Sequence, residues 1–270
     1  MPEGPELLFW SIFLKKKFIK GKIQNMKFNI TNDIVIPENF DGEIVDVLQK
    51  GKLLWFKVKS NGNNSHYYVH LHLGITGWIM FKDAKNVKYS FEIKLSNKIF
   101  NIYIEDKTKL SEMEILDEEE HIKSINKLGI DIFTEEFTID NFKMEIKKKR
   151  MILASFLLKQ EIFCGIGNYI KNEVLYMDNL DINCKTNILT DEQIENLYKN
   201  ILFVAYSCLM EQLRNSKIEN LLSNKNIMNK PEILEIPYEY KIYKRKLTDD
   251  GKRVKITKVG GRDTYYVEKI

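Results

Sequence analysis

From Pro5 the chain runs Glu6-Leu-Leu-Phe-Trp-Ser-Ile-Phe-Leu14 into Lys15, Lys16 and Lys17, with Gly21 beyond. Apolar residues at three- and four-residue intervals, with cations at the far end, predict one amphipathic helix whose stripe is Leu8, Phe9, Ile12 and Phe13. The period then shortens. Ile44–Leu48, Leu53–Val58, Tyr67–Leu73, Gly77–Phe81, Ser90–Leu95 and Ile99–Ile104 are rich in β-branched and aromatic residues and punctuated by Gly, Asn and Asp, including a turn at 60–65. They predict a sandwich of about six to eight strands. An acidic stretch from Ser111 to about Asp140 then leads into helical periodicity at 141–160, 168–178, 190–216 and 217–225. After Pro231 and Pro237, segments at 238–243, 253–256 and 263–267, with a turn at Thr248-Asp-Asp-Gly251, predict a small antiparallel hairpin module.

The expected fold class is therefore α+β: an N-terminal helix with a two-layer β-sandwich (1–127), a helical domain (128–236) and a terminal β-hairpin (237–270). The composition, 44% hydrophobic and 30% charged over 270 residues, excludes disordered, collagenous and coiled-coil chains. No apolar run approaches the roughly 18 residues of a membrane span, and lysines interrupt the first apolar segment before it can serve as a secretory signal. Three scattered cysteines, Cys164, Cys184 and Cys208, support neither a disulfide framework nor a cysteine zinc site, so a reducing, intracellular compartment is expected.

The net charge of +4 conceals segregation. Residues 1–110 carry +6, 111–140 carry −8, 141–240 are neutral and 241–270 carry +6. Two basic regions flanking an acidic belt suit a polyanion, whose counterions Lys and Arg displace; a merely solvated lysine-rich surface is the competing explanation.

Candidate chemistry begins at the first residues, Met1-Pro2-Glu3-Gly4-Pro5-Glu6. Removal of Met1 leaves Pro2 as a terminal secondary amine titrating near about 7.7–8, a nucleophile at neutral pH where a lysine is not. Its attack on a sugar's anomeric carbon yields an iminium ion, the electron sink that ring opening and elimination require, and Glu3 can move the protons. A plain helix start with proline and glutamate in its first turn is the alternative. Gly165 and Gly167 permit a tight turn with positive φ, and Asn168 can cap the following helix, leaving backbone N–H groups for a phosphate. His70 and His72 share one strand face but lack a third ligand, which favours a hydrogen-bonded or phosphate-facing histidine over a metal site.

These motifs resemble, in order and nearly end to end, the formamidopyrimidine-DNA glycosylase / endonuclease VIII family, whose members begin Pro-Glu-Gly-Pro-Glu. Gln49-Lys-Gly-Lys52 resembles the family's Arg-Gly-Lys turn, His72-Leu-Gly-Ile-Thr-Gly77 its His-Leu-Gly-Met-Ser-Gly strand end, and Leu128-Gly-Ile-Asp-Ile-Phe133 its interdomain junction. Leu157-Leu-Lys-Gln160 with Gly165-Ile-Gly-Asn-Tyr-Ile-Lys-Asn-Glu-Val-Leu-Tyr176 resembles the helix-two-turn-helix motif of the endonuclease VIII-like branch. No cysteine follows Cys208, so the terminal segment resembles the metal-free finger of vertebrate, plant and giant-virus members.

The resemblance implies a bifunctional DNA glycosylase and abasic-site lyase that excises oxidised bases, acts as a monomer on damaged DNA, and uses no cofactor or metal. It implies Pro2, Glu3, Lys52 and Arg262 as catalytic, and His72, Lys109, Gly167, Asn168 and Arg262 as DNA-binding. Where bacterial members carry Asp-Pro-Arg-Arg-Phe-Gly this chain has Asp106-Lys-Thr-Lys-Leu-Ser111, so Ile75, Lys109 and Leu110 are the void-filling candidates. Ala154 stands where the family has a lysine. A non-catalytic helix-two-turn-helix nucleic-acid binder, such as a lesion sensor, is the competing reading; it gives no reason for Pro2-Glu3 at the terminus.

Overall fold

The computed structural model describes residues 2–28, 36–37, 40, 42–60, 65–217 and 237–268. Most of the expected turn at 60–65, and residues 218–225 of the expected last helix, lie outside them. The described chain forms two compact units, one of Pro2 with Glu6–Lys127, the other of Glu3–Pro5 with the chain from Leu128 onward.

The first unit opens with α1 (Gly4–Phe18). Its core-facing side is Leu7, Trp10, Leu14 and Phe18, all buried, whereas Leu8, Ile12 and Phe13 of the expected stripe are only half-buried. The helix is apolar on most of its circumference, so periodicity cannot choose the face; rings on the sheet do. Trp10 meets Trp78, and Phe18 meets Phe81 and Phe100.

Eight strands follow: β1 (Lys22–Phe28), β2 (Gly42–Lys50), β3 (Leu53–Ser60), β4 (His66–His72), β5 (Trp78–Met80), β6 (Val87–Leu95), β7 (Lys98–Glu105) and β8 (Glu112–Leu116). They hydrogen-bond in the order β5-β7-β6-β1-β2-β3-β4-β8. The β1–β2 junction rests on a single register pair, Lys22 with Glu43, and β1 is bulged beyond Gln24, so the sheet folds there into two four-stranded layers. Phe56 of β3 and Phe91 of β6, buried with ring centroids 5.8 Å apart, meet between the layers. β1 and β8 went unrecognised in the pattern. β8 hides in the acidic stretch because Glu112 and Glu114 face out while Met113 and Ile115 face in. The same stretch holds α2 (Glu118–Ile125), opened by an Asp117/Glu120 capping box.

In the second unit, β9 (Ile130–Asp131) pairs in parallel with β10 (Phe163–Cys164). The expected helix at 141–160 is two helices, α3 (Ile139–Lys148) and the short α4 (Leu153–Phe156). α5 (Asn168–Met177) and α6 (Asp191–Asn215) match their periodic segments. Phe137, Phe142, Phe156 and Phe163 fill the core. The terminal hairpin joins β11 (Lys255–Val259) to β12 (Arg262–Tyr266) through Gly260 and Gly261, whose φ angles of 58° and 76° suit the two-residue turns that match strand twist. The expected turn at 248–251 closes only an isolated bridge, Leu247 with Arg253, and residues 238–243 are not a strand.

Candidate active site

The N-terminal segment ends on the turn that precedes α5. Glu3 is fully buried, and its carboxylate accepts N–H bonds from Tyr169 (2.7 Å) and Ile170 (3.3 Å), while Gly4 N–H donates to the Gly165 carbonyl at 2.9 Å. A negative charge thus caps the positive end of α5. This corrects two expectations. Asn168 is the first helical residue rather than the cap, and two of the helix-start N–H groups, those of Tyr169 and Ile170, are taken by Glu3, leaving a phosphate to the residues before them and the Asn168 amide.

Gly165 does have positive φ (104°), but Gly167 is extended (φ −128°, ψ −158°). Gly167 is needed for room, since a Cβ there would lie 2.1 Å from the Glu3 carboxyl carbon. Gln160 fixes the turn from beneath: its amide oxygen accepts from Gly165 N–H and its amide nitrogen donates to the Ile166 carbonyl.

Behind this cap, polar side chains of α5 grip β12. Lys171, with no exposed surface, donates to Asn168 Oδ1 (2.9 Å), the Asp263 carbonyl (3.2 Å) and Thr264 Oγ1 (2.9 Å). Asn172 donates to the Asn168 carbonyl at 2.7 Å and accepts from Tyr265 N–H at 2.8 Å. Burial lowers the Lys171 pKa to about 8, against the opposing pull of Glu3 and Asp263. Arg262, the residue preceding these clamped positions, is exposed at the start of β12. Glu173 holds the preceding segment: its two oxygens accept from the backbone N–H groups of Lys241, Ile242 and Tyr243 and from the Tyr238 hydroxyl.

In the first unit, Gly51 and Lys52 form the turn between paired Lys50 and Leu53, and Lys52 is half-buried. Leu53 pairs with His72, an exposed residue at the end of β4. Desolvation of its ring lowers the His72 pKa, opposed by Glu112 and helped by the Lys52 ammonium. His70, two residues earlier on the same face, is buried and bonds His121 (Nε2 to Nδ1, 2.8 Å), whose ring stacks on Tyr68. Desolvation and the neighbouring His121 lower the His70 pKa to about 4.

The void-filling candidates sit on two linked loops. Asp106 is buried; its Oδ1 accepts from Thr76 Oγ1 (2.5 Å), Thr108 Oγ1 (2.8 Å) and Thr108 N–H (3.0 Å), and its Oδ2 from Ser111 N–H (2.6 Å). Burial would raise its pKa, but these bonds from Thr76, Ser111 and Thr108 bring it down to about 2. Lys88 ties the other side by donating to the carbonyls of Lys109 and Ser111. The result is a rigid loop in which Lys109 has φ of 57° and Leu110 is 52% exposed, beside a half-buried Ile75.

Residues 1–113 match the description "Formamidopyrimidine-DNA glycosylase N-terminal domain", and residues 128–223 match "Formamidopyrimidine-DNA glycosylase H2TH domain". The chain belongs to the formamidopyrimidine-DNA glycosylase family. It is a DNA-repair glycosylase of that type, in a class whose members are also abasic-site lyases. The formamidopyrimidine-DNA glycosylase of Arabidopsis thaliana is 24% identical over 294 residues, covering 100% of this chain and 70% of that protein. The one from Rickettsia conorii is 26% identical, covering 74% and 75%. Among solved structures, the Lactococcus lactis enzyme bound to DNA containing an abasic site superposes with a TM-score of 0.76 at 18% identity, covering 98% of this chain and 97% of that one. The Thermus thermophilus protein gives 0.74 at 20%, with the same coverage.

For a family in which many members carry a zinc finger, residues 237–270 here offer neither cysteine nor histidine. The Cys and His donors of a structural zinc site are thus missing there, and Lys171 and Asn172 tie the hairpin to α5 while Glu173 holds the segment before it. Sequence reasoning passed over these three, together with Gln160 and Asp106. The available signal was three consecutive polar residues, Lys171-Asn172-Glu173, inside an otherwise apolar helix, since such residues are buried only when paired.

Proposed function

We propose that this chain is bifunctional, excising oxidised bases and then nicking the abasic strand through a Schiff base at Pro2. The observation that carries this reading is the docking of the terminal peptide: Glu3 caps α5 and Gly4 bonds Gly165, so residue 2 is held one peptide away from a buried anchor rather than left to fray. A terminus fixed in this way suits a nucleophile that must meet an extruded nucleotide.

In this scheme the Pro2 nitrogen bonds to the anomeric carbon, the glycosidic bond breaks, and the base leaves with a proton. Opening of the sugar ring at its oxygen gives the iminium. Loss of a proton from the neighbouring sugar carbon expels the 3′ phosphate, a second elimination expels the 5′ phosphate, and water frees Pro2. Glu3 serves as the proton carrier. Lys52, His72, Gly167 and Asn168 serve phosphate positioning and elimination. Arg262 suits phosphate because a guanidinium binds it bidentately.

Oxidised pyrimidines and hydantoins are the proposed preferred bases, with shallow dependence on the opposite base and ready use of single strands. The support is the loop at 106–111: Lys109 and Leu110 supply neither the planar fork nor the aromatic ring that would read and stack on an orphaned partner, and Ile75 with Leu110 offers only an apolar wedge. The lack of finger cysteines supports placement near the endonuclease VIII-like, metal-free members.

Borohydride reduction on a duplex with one abasic site tests the scheme. The protein is expected to be fixed covalently to the DNA, with Pro2→Gly abolishing the product. Undiminished trapping by Pro2→Gly, or by protein retaining Met1, would move the nucleophile elsewhere, and no trapping at all would favour a non-catalytic binder.

A further inference from the structure

Lys171 has no part in the chemistry above, yet it is the most deeply buried cation near the proposed phosphate contacts. An ammonium has three donors, and here all three are used, on Asn168 Oδ1, the Asp263 carbonyl and Thr264 Oγ1. Two consequences follow from that geometry. A carboxamide whose oxygen is held by a cation presents its NH2 end to other partners, so Lys171 selects the donor orientation of Asn168, the orientation an anion needs. The Tyr243 hydroxyl, which also bonds the Asn168 side chain, is a second restraint on the same amide. The other two bonds pin the residues following Arg262, at the point where β12 leaves the Gly260–Gly261 turn.

We propose that Lys171 is a positioning residue for phosphate recognition, which sets the Asn168 amide and the Arg262 backbone together through one buried ammonium. This inference rests on the reading of Asn168 and Arg262 as phosphate contacts. Lys171 does not touch DNA; it makes two elements far apart in sequence present their donors as a unit. The mechanism requires the charged form. A neutral amine keeps only two donors, so loss of the proton leaves one of three buried acceptors unmet.

The groups acting on the ammonium are Glu3 from the N-terminal segment, which favours its charge, and Asp263 and Arg262 from β12, which pull in opposite directions. Burial raises the Tyr265 phenol and raises that of Tyr243 to about 12, so both stay neutral where Lys171 titrates, around pH 8.

The test uses the whole chain and a fluorescent duplex carrying a reduced abasic site, with binding measured against salt and between pH 7 and 9. Lys171→Met, which keeps the stem and removes the donors, is expected to weaken binding about tenfold or more, the factor that one unmet buried hydrogen bond represents, and to raise KM with little change in kcat. It should also lower the slope of log affinity against log salt by about one phosphate contact. In a cycle with Asn168→Ala, the double variant should bind far more tightly than the summed single losses predict, because Lys171 acts partly through Asn168. Additive losses, or a Lys171→Met protein that binds like wild type, would overturn the proposal.

If Lys171→Met fails to fold, the decision rests on wild type and Lys171→Arg. Wild-type affinity should fall as pH rises through about 8, and the fall should be clearly smaller in Lys171→Arg, which stays charged, while the Pro2 amine, titrating over the same range, contributes alike to both proteins. A wild-type profile that is flat, or is unchanged by arginine, would overturn it equally. Failure of wild type to prefer abasic over undamaged duplex would instead sink the functional reading beneath the proposal.

Discussion

Two carboxylates organise the two units, and they do so to different ends. Glu3 is buried on the N–H groups of Tyr169 and Ile170 at the start of α5, and one turn further on the Lys171 ammonium bonds Asn168 and the Asp263 carbonyl. Asp106 also collects backbone N–H and hydroxyl donors, but the loop that it stiffens carries Leu110 outward into solvent. Polar groups that must act in one fixed geometry are enclosed where the dielectric is low and each bond is strong. An apolar side chain proposed as a wedge must instead stay exposed, and the bonds of its loop all lie on the loop backbone and the Asp106 side. In the proposed mechanism Glu3 therefore serves catalysis as well as the cap of α5, whereas Asp106 serves its loop alone.

The sharpest way to break this contrast is the isosteric pair Glu3→Gln and Asp106→Asn. Glu3→Gln keeps an oxygen to accept N–H bonds and removes the proposed proton carrier, so base excision is expected to fall about 10²–10⁴-fold while cleavage of a preformed abasic site falls less. Equal losses in single-turnover assays would reduce Glu3 to an anchor. Asp106→Asn turns an amide NH2 toward donors and should cost about 1–3 kcal/mol in urea melts, with excision nearly intact.

Next in size is Gly167→Ala. Its methyl group would occupy the place of the Glu3 carboxyl, at 2.1 Å, so the cap must be expelled. Stability should drop by about 1–3 kcal/mol and trapping with it. A variant that melts and traps like wild type would show that the terminus does not need this seat.

Acid separates the units by sign. The folded first unit resists protonating His70 until about pH 4, while the unfolded chain takes up that proton at its ordinary value of 6.5. The unfolded state binds more protons in between, so this unit loses up to about 3 kcal/mol as pH falls from 6.5 to 4. Asp106 extends the loss from about pH 4 toward 2. In the second unit, burial raises Asp178 to about 6, opposed by its bond from Asn200, so the folded state is the one that gains a proton between pH 6 and 4. That half should become more stable over the same interval, by no more than about 2 kcal/mol given its partial exposure. Calorimetry or limited proteolysis at pH 7 and pH 5 should resolve an early-melting first unit, and co-melting at both values would refute the opposition.

The smallest effect is expected at the wedge. Leu110→Ala removes exposed apolar surface, so stability should change by under about 0.5 kcal/mol. Excision from duplex should slow while excision from single strands does not, since only the duplex leaves a hole to fill. Equal slowing on both substrates would remove Leu110 from that role.

Most of the scaffold was legible because it is written at short range. Alternation marked six of the eight sandwich strands, and the 3.6-residue period marked α1, α5 and α6. The motifs that carry the family resemblance also lay in the sequence in order, from Pro2-Glu3 to the segment around Arg262. Other local features were present but weak, such as β8, whose outward glutamates read as part of an acidic linker, and α2, whose Asp117–Glu120 cap lay in the same run.

What the sequence by itself determined, then, is which segments are helix or strand and which residue types are available for chemistry. Only the tertiary structure decided partners. The face of α1 was chosen by rings on distant strands, because a helix apolar on most sides carries no preference of its own. The seat of Glu3 on Tyr169 and Ile170, 166 and 167 residues away, and the grip of Lys171 on Asp263 and Thr264, arise where buried charges must find whatever donors and acceptors the packed chain brings within 3 Å or so. Periodicity reports on a turn or a strand at a time, so it passes over what Lys171 meets, and the cost of leaving that cation unpaired, which only the assembled unit meets, explains its partners.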